Sequence, residues 1–318
     1  MKRREMIKGS AIVGASLAAS KKVSASGLYQ SASERKIHQV LDASRTKVGT
    51  LPILRAFAGN QLDHVSPYVL FDEFGPVDVK AGEAPLRVDA HPHAGVTPTT
   101  YFFEGTGHHK DSLDFDFQIG KGDFMMFSSG RGAIHMEESG DLLHQEGGLY
   151  HGFQIWLNTP AKYKFAQPAT LLYGDKDMGS LDNEDFSAKV ILGELLGAQA
   201  KVDLPNPAFY YHITLKPNGR IDIPTDPTHN AFVYLVHGAL EAADKQQVTE
   251  HQIVLYERGE SWIKLFSEQG AELLVLGGQP LNETVYSYGP FVMNNEEQIQ
   301  QCIHNYRTGK MGDPSRVN

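Results

Sequence analysis

Four side chains in the first half of the chain have the types and spacing of a metal site: His91, His93, His135 and Glu137. In His91-Pro92-His93 the imidazoles stand two residues apart, and a β-strand puts residues two apart on the same face. His135-Met136-Glu137 offers an imidazole and a carboxylate at the same spacing. Two such strands lying side by side can aim three nitrogens and one oxygen at one point. An isolated His-x-His is often a surface or hydrogen-bonded pair, but two such pairs on turn-bounded strands argue for a bound cation. The single cysteine, Cys302, excludes an internal disulfide and leaves no thiolates for a closed structural zinc site. Three imidazoles and one carboxylate leave two octahedral positions open. This set suits one divalent transition metal, Fe(II) first, with Mn, Co, Ni, Cu or Zn as alternatives. An open site implies chemistry or sensing.

The sequence between the two pairs has to fold them back on each other. Thr97 to Phe103 is rich in Thr and aromatics, Glu104-Gly105-Thr106-Gly107 reads as a turn, and Phe115, Phe117 and Ile119 alternate with Asp116 and Gln118. Gly120-Lys121-Gly122-Asp123 and Gly130-Arg131-Gly132 then turn around a strand from Phe124 to Phe127. An antiparallel meander of this length returns His135 beside His91. Glu104, at a strand-turn junction, competes with Glu137 as the carboxylate ligand. His108 and His109 fall on a Gly-containing turn and are expected at the surface, with Asp111 and Ser112 bonding to the backbone of that turn. Asp72 and Glu73 have no histidine beside them at strand spacing and are expected to cap or solvate a turn. His144 and Glu146, in the polar stretch 140–148, could line the mouth of the site. Phe153, Ile155 and Leu157 alternate with Gln154 and Trp156, which predicts a strand with one face in the core and the other toward a cavity.

These residues, in this order, resemble the pirin family of bicupins. The resemblance is carried by His91-Pro92-His93-Ala94-Gly95, Phe103-Glu104-Gly105, His109-Lys110-Asp111-Ser112, Gly122-Asp123 and the run from Gly130 to Glu137. Ser66 to Pro76 upstream, and His151 to Asn158 and Gly289 to Asn294 downstream, extend it over about residues 36 to 311. It implies two cupin-type β-sandwich or barrel domains and assigns the metal to His91, His93, His135 and Glu137, with Glu137 rather than Glu104 as the carboxylate. For members with this ligand set it implies quercetin 2,3-dioxygenase activity: a flavonol and O2 as substrates, and Glu137 as both ligand and general base. For other members it implies metal-dependent redox sensing or protein binding. The two readings part on whether a wide, apolar pocket lies over the metal. A sugar- or keto-acid-isomerising cupin would want more charged groups facing inward, and Lys110 and Arg131 stand on turns. Ala94 stands where many pirins carry Arg, which changes the charge behind the ligands.

The chain of 318 residues, rich in Gly and Pro and poor in long helical periods, is expected to be all-β, with room for two domains. The expected organisation is a metal-binding domain over 36–165, a linker with edge strands over 166–205 and a second cupin-like domain over 206–311. In the second domain, aligning Tyr234 to Gly238 with Tyr101 to Gly105 puts Pro224 and Asp226 where His91 and His93 stand, so it is expected to hold no metal. A short C-terminal helix is predicted from a cap at Asn294, with Glu297 closing a capping box, Ile299, Cys302, Ile303 and Tyr306 on one face, and Gly309 as its stop.

Residues 1–25 read as a twin-arginine export signal: Lys2-Arg3-Arg4 lead a short Gly/Ala-rich apolar stretch, Lys21 and Lys22 follow, and Val23-Ser24-Ala25 suits cleavage. The apolar stretch is too short for a membrane anchor. Cleavage implies a periplasmic protein; without the signal the chain would remain cytoplasmic. Removing those residues leaves 23 basic against 37 acidic residues, net −14 where the full chain is −9. Such a field repels phosphate backbones and excludes nucleic acid as a partner.

Overall fold

The computed structural model describes residues 33–59 and 62–317, so the stretch read as an export signal lies outside them. The strands that carry the histidines form a four-stranded antiparallel sheet in the order Arg87–His93, Ala133–Ser139, Gly107–Asp111, Asp116–Ile119. A seven-stranded sheet faces it, ordered Ala169–Tyr173, Phe124–Ser128, Val96–Glu104, Gly148–Asn158, Tyr68–Val79, Leu51–Ala58, Ser44–Val48. Strand alternation gives the larger sheet two functions. Leu70, Asp72 and Phe74 turn toward the space between the sheets, as do Thr100, Phe102, Gln154 and Trp156. Phe71, Tyr101, Phe103, Phe153 and Ile155 turn the other way and pack on the second domain.

That second domain is built on a ten-stranded sheet. Its near face supplies Tyr210, Phe232, Tyr234 and Leu274 to the shared core, with Phe71 and Tyr234 ring centroids 4.8 Å apart and Phe57 edge-on to Phe232 at 5.5 Å. Each fully buried aromatic of this kind contributes about 2 kcal/mol, which ties the domains into one body. The interior of the second domain is filled by Ile221, Ile223, Val233, Leu235, Ile263 and Leu265. Pro224 sits at a strand end opposite Trp262, and Asp226 folds onto its own turn, accepting from Thr228 N at 2.8 Å and Thr228 Oγ1 at 2.6 Å.

The ends of the described chain are exchanged between the domains. Ile37–Asp42 pairs with Gln252–Tyr256 in the second domain. Buried Arg35 anchors this strand there, donating to Thr225 Oγ1 at 2.8 Å and to the His229 carbonyl at 2.9 Å. At the other end, Phe291, Met293, Ile299 and Cys302 pack against Ala94, Ile134 and Met136 of the first domain. The stretch 166–205 is also more than a linker: Ala169–Tyr173 edges the seven-stranded sheet, and Phe186–Leu192 is a largely buried strand inside the ten-stranded one.

The C-terminal helix is Glu296–Arg307, and its cap is Asn295 rather than Asn294, with the Asn295 side chain accepting from Gln298 N at 2.9 Å. Gln298 Oε1 in turn accepts from Asn294 N at 2.9 Å, so the side chain that reaches back is Gln298 and not Glu297. Burial pushes the Cys302 thiol up to about 11, in keeping with an inert core position. Among the described residues, no helix is long and apolar enough to cross a membrane.

Candidate metal centre

His91 lies directly opposite His135 in the ladder, and His93 opposite Ala133. The centroids of the three imidazoles stand 4.5, 4.8 and 4.9 Å from one another. The His91 Nδ1 hydrogen bonds to the Asp89 carbonyl at 2.8 Å, so the Nε2 lone pair of His91 faces His135 Nε2, 3.1 Å away. Two nitrogens each about 2.1 Å from one ion, at right angles, would lie about 3.0 Å apart. His135 Nδ1 is buried without a partner among the described residues. Phe127 stacks on the His135 ring at 4.5 Å, and Trp156 stands edge-on to His93 at 4.8 Å. Burial, reinforced by neighbouring His91, holds His93 and His135 well below the ordinary imidazole range. Both are neutral, the form that offers a lone pair to a cation.

Glu137 reaches this group from the side. The ladder shifts register between His135 and Glu137, setting Glu137 opposite Val88 on one flank and His109 on the other. Its carboxylate spans the sandwich: Thr100 Oγ1 donates to Oε1 at 2.8 Å and Gln154 Nε2 to Oε2 at 2.7 Å. The ligand-type atoms form two overlapping clusters, His91 with His93 and His135, and His109 with His135 and Glu137, each within 4.8 Å. The three expected histidines therefore converge, and Glu137 joins them through His135. Both clusters described lie in the first domain.

His109 corrects the expectation of a surface residue. It is fully buried on the Gly107–Asp111 strand, with Nε2 3.0 Å from Asp111 Oδ2 and Nδ1 without a partner among the described residues. The available signal was the period-two pair His109 and Asp111, masked by the adjoining glycines. Burial would raise the Asp111 pKa, but hydrogen bonds from His109 and Thr170 outweigh it and hold the carboxyl below the usual range. Asp111 Oδ1 also accepts from Leu113 N at 2.8 Å, as expected of a turn-former, whereas Ser112 Oγ donates to the Met311 carbonyl at 2.8 Å. Glu104 pairs with Lys121 at the surface and belongs to neither cluster. His144 lies on the short helix Asp141–Glu146 and bonds to the Ser139 carbonyl at 2.8 Å; neither it nor Glu146 lines the cavity.

Asp72 and Glu73 are strand residues, not turn caps. Asp72 faces the cavity, held by Arg55. Glu73 faces the second domain, fully buried, with His151 Nε2 at 2.7 Å, His251 Nδ1 at 2.9 Å and the Tyr234 hydroxyl at 2.5 Å. Burial alone would raise its pKa, but these three partners bring it down to about 2. Tyr234 and His251 lie far along the chain, so no local spacing announces them.

Over the histidines opens a cavity of about 640 Å³ with largely aliphatic and aromatic walls, among them Leu51, Ile53, Phe74, Phe102, Tyr150 and Trp156. Its rim is completed by Gly289, Pro290 and Val292 from the far end of the chain. Two contacts hold that rim. Val292 N donates to the Ala94 carbonyl at 3.0 Å, and buried Lys164 Nζ donates to the carbonyls of Gly95 at 2.8 Å and Val292 at 2.7 Å and to Asn158 Oδ1 at 2.5 Å. Burial lowers the Lys164 pKa to about 7. Gly95 has φ +72°, and a Cβ there would lie 2.2 Å from the Val292 oxygen, so only glycine permits the approach. Ala94 is fully buried beneath the C-terminal helix, where an arginine would bring a charge into an apolar cluster.

Known proteins share this arrangement. The family profile described as Pirin matches residues 50–157, and that described as Pirin C-terminal cupin domain matches residues 210–312. A "Putative quercetin 2,3-dioxygenase" of Pseudomonas aeruginosa is 30% identical over 273 residues, covering 85% of this chain and 95% of that protein. A "Pirin-like protein" of Solanum lycopersicum is 29% identical over 281 residues, covering 87% and 92%. The crystal structure of a quercetin 2,3-dioxygenase from Acinetobacter baumannii superposes with a TM-score of 0.85 at 27% identity, over 89% of this chain and all of that one. With both profiles in place and the likeness running through site and fold together, the chain belongs to the pirin family of bicupins.

Proposed function

We propose that this protein is a metal-dependent dioxygenase that opens the heterocyclic ring of a flavonol such as quercetin, using O2 at a mononuclear site held by His91, His93, His135 and Glu137. The observation that carries the reading is the coincidence of three converging imidazoles with an apolar cavity of about 640 Å³ directly over them. Such a cavity is of the size and character that bury a flat aromatic ligand. The names of the relatives support the same substrate class.

Bound at this site, an ion such as Fe(II) supplies a Lewis acid for the substrate's enolate and a centre for O2 chemistry. The protein's own groups do the rest. Glu137 accepts the proton of the flavonol hydroxyl, and Thr100 and Gln154 hold its carboxylate in place from the opposite sheet. Phe127 and Trp156 pack the imidazoles in place. The aromatic walls exclude water and orient the ring over the histidines. The test is oxygen consumption by Fe(II)-loaded protein with quercetin, followed by identification of the ring-opened product. Metal retained at one equivalent per chain with no oxygen uptake would instead support a metal-dependent sensing or protein-binding role.

We further propose export by the twin-arginine route, which carries folded proteins, so that the metal is loaded before the chain leaves the cytoplasm. The basis is Arg3 and Arg4 ahead of a short apolar stretch.

A further inference from the structure

The metal site accounts for the polar groups at one end of the cavity, but not for Arg55 and Asp72 at the other. Arg55 lies opposite Asp72 in the ladder, Asp72 opposite Gln154, and Gln154 opposite Thr100, so these residues form one row across four strands. All four line the cavity, and the row ends where Gln154 and Thr100 grip Glu137. With strands about 4.8 Å apart, Arg55 stands roughly 14 Å along the row from Thr100.

The Arg55 guanidinium is clamped. Nε and Nη2 donate to Asp72 Oδ1 and Oδ2 at 2.7 and 2.6 Å, a bidentate geometry that fixes its plane. Asp72 is buried, while the Arg55 side chain remains 32% exposed and lines the cavity, with Nη1 outside the clamp. The local backbone is shaped for this presentation. The pairing slips at Ala56, leaving Arg55 opposite Asp72 on the cavity side and Phe57 opposite Phe71 in the interdomain core. A bulge of this kind re-aims a side chain. Stability gives no reason for the pair, because apolar residues of similar volume would be as stable or better in a wall otherwise made of groups like Leu51, Ile53 and Phe74.

We propose that Arg55, oriented by Asp72, is a specificity-determining residue that reads the end of the substrate remote from the metal. It donates to an oxygen acceptor there, a ring hydroxyl, phenolate or carbonyl of an elongated planar aromatic. The proposal rests on the flavonol reading and narrows it: the preferred substrate carries oxygen on a terminal ring as well as the chelating pair.

The experiment compares quercetin with 3-hydroxyflavone, which keeps the chelating oxygens and lacks every other hydroxyl, in anaerobic titrations of the metal-loaded protein. Wild type is expected to prefer quercetin by about tenfold or more, as one hydrogen bond to a charged donor gives. Arg55→Met alone would strand a buried carboxylate, so the informative variant is Arg55→Met with Asp72→Leu, in which the preference should collapse toward unity. Arg55→Lys, which keeps the charge without the fork, should lose most of it. Equal affinities in wild type, or an undiminished preference in the double variant, would overturn the role of Arg55 and leave the flavonol reading in place. Failure of wild type to bind either compound would overturn both.

Discussion

Two glutamates of the first domain have opposite surroundings. Glu137 is held by Thr100 and Gln154 inside the sandwich, whereas Glu104 pairs with Lys121 at the surface. Glu137→Gln should therefore lower oxygen uptake with quercetin by at least about 100-fold, because an amide cannot take the substrate proton. Glu104→Gln should change unfolding stability by less than about 1 kcal/mol and leave turnover alone; loss of metal in that variant would mean that the wrong carboxylate has been chosen. Metal analysis should find one equivalent per chain in wild type and none in His91→Ala. The convergence of His91, His93 and His135 was legible because period-two spacing is a local property of a strand, and the pairs His91 with His93 and His135 with Glu137 carry it in their own sequence. His109 and Glu73 were not legible for the opposite reason. Their surroundings are set by strand pairing and by the second domain, and Glu73 meets His251 from 178 residues away.

At the scale of elements, the rim of the cavity depends on a short strand, Phe291–Met293, pinned beside Gly95 by the buried ammonium of Lys164. Lys164→Met would remove a charged donor from three acceptors and should lower stability by roughly 1–3 kcal/mol, read as a drop of several degrees in the melting temperature. Gly95→Ala should be the more damaging change, since it forces a left-handed backbone on alanine and drives its Cβ into the Val292 carbonyl. A Gly95→Ala protein that melts with wild type would contradict the close packing described for this strand. The C-terminal helix was readable to within a residue because caps and apolar periodicity are local signals. The exchange of the chain ends was not, because nothing in Ile37–Asp42 specifies which of two similar sheets it will join.

For the whole molecule, the buried Glu73 cluster joins the domains and sets an acid limit. Its carboxyl titrates at an ordinary 4.5 when unfolded and about 2 when folded, so the unfolded chain takes up the proton first. The stabilisation is complete above about 4.5 and is lost as pH falls toward 2. Glu73→Gln should lower the melting temperature at neutral pH by several degrees and flatten the acid limb of the stability curve. An unchanged acid limb would show that other carboxyls govern it. Replacing Arg3 and Arg4 by Lys should hold the protein in the cytoplasm, uncleaved and metal-loaded. Its appearance in the periplasm with the signal removed would rule out the twin-arginine route.

The exchanged ends also bear on how the protein is made. The strand that completes the cavity rim and the helix that covers Ala94 leave the ribosome after both β-sheet systems have emerged. During synthesis the first domain therefore waits, with its histidines present and its rim incomplete, for residues 289–307 to dock. A chain interrupted before Phe291 would hold every metal ligand and still lack the rim. In this fold a completed rim reports that synthesis has run through Phe291–Met293.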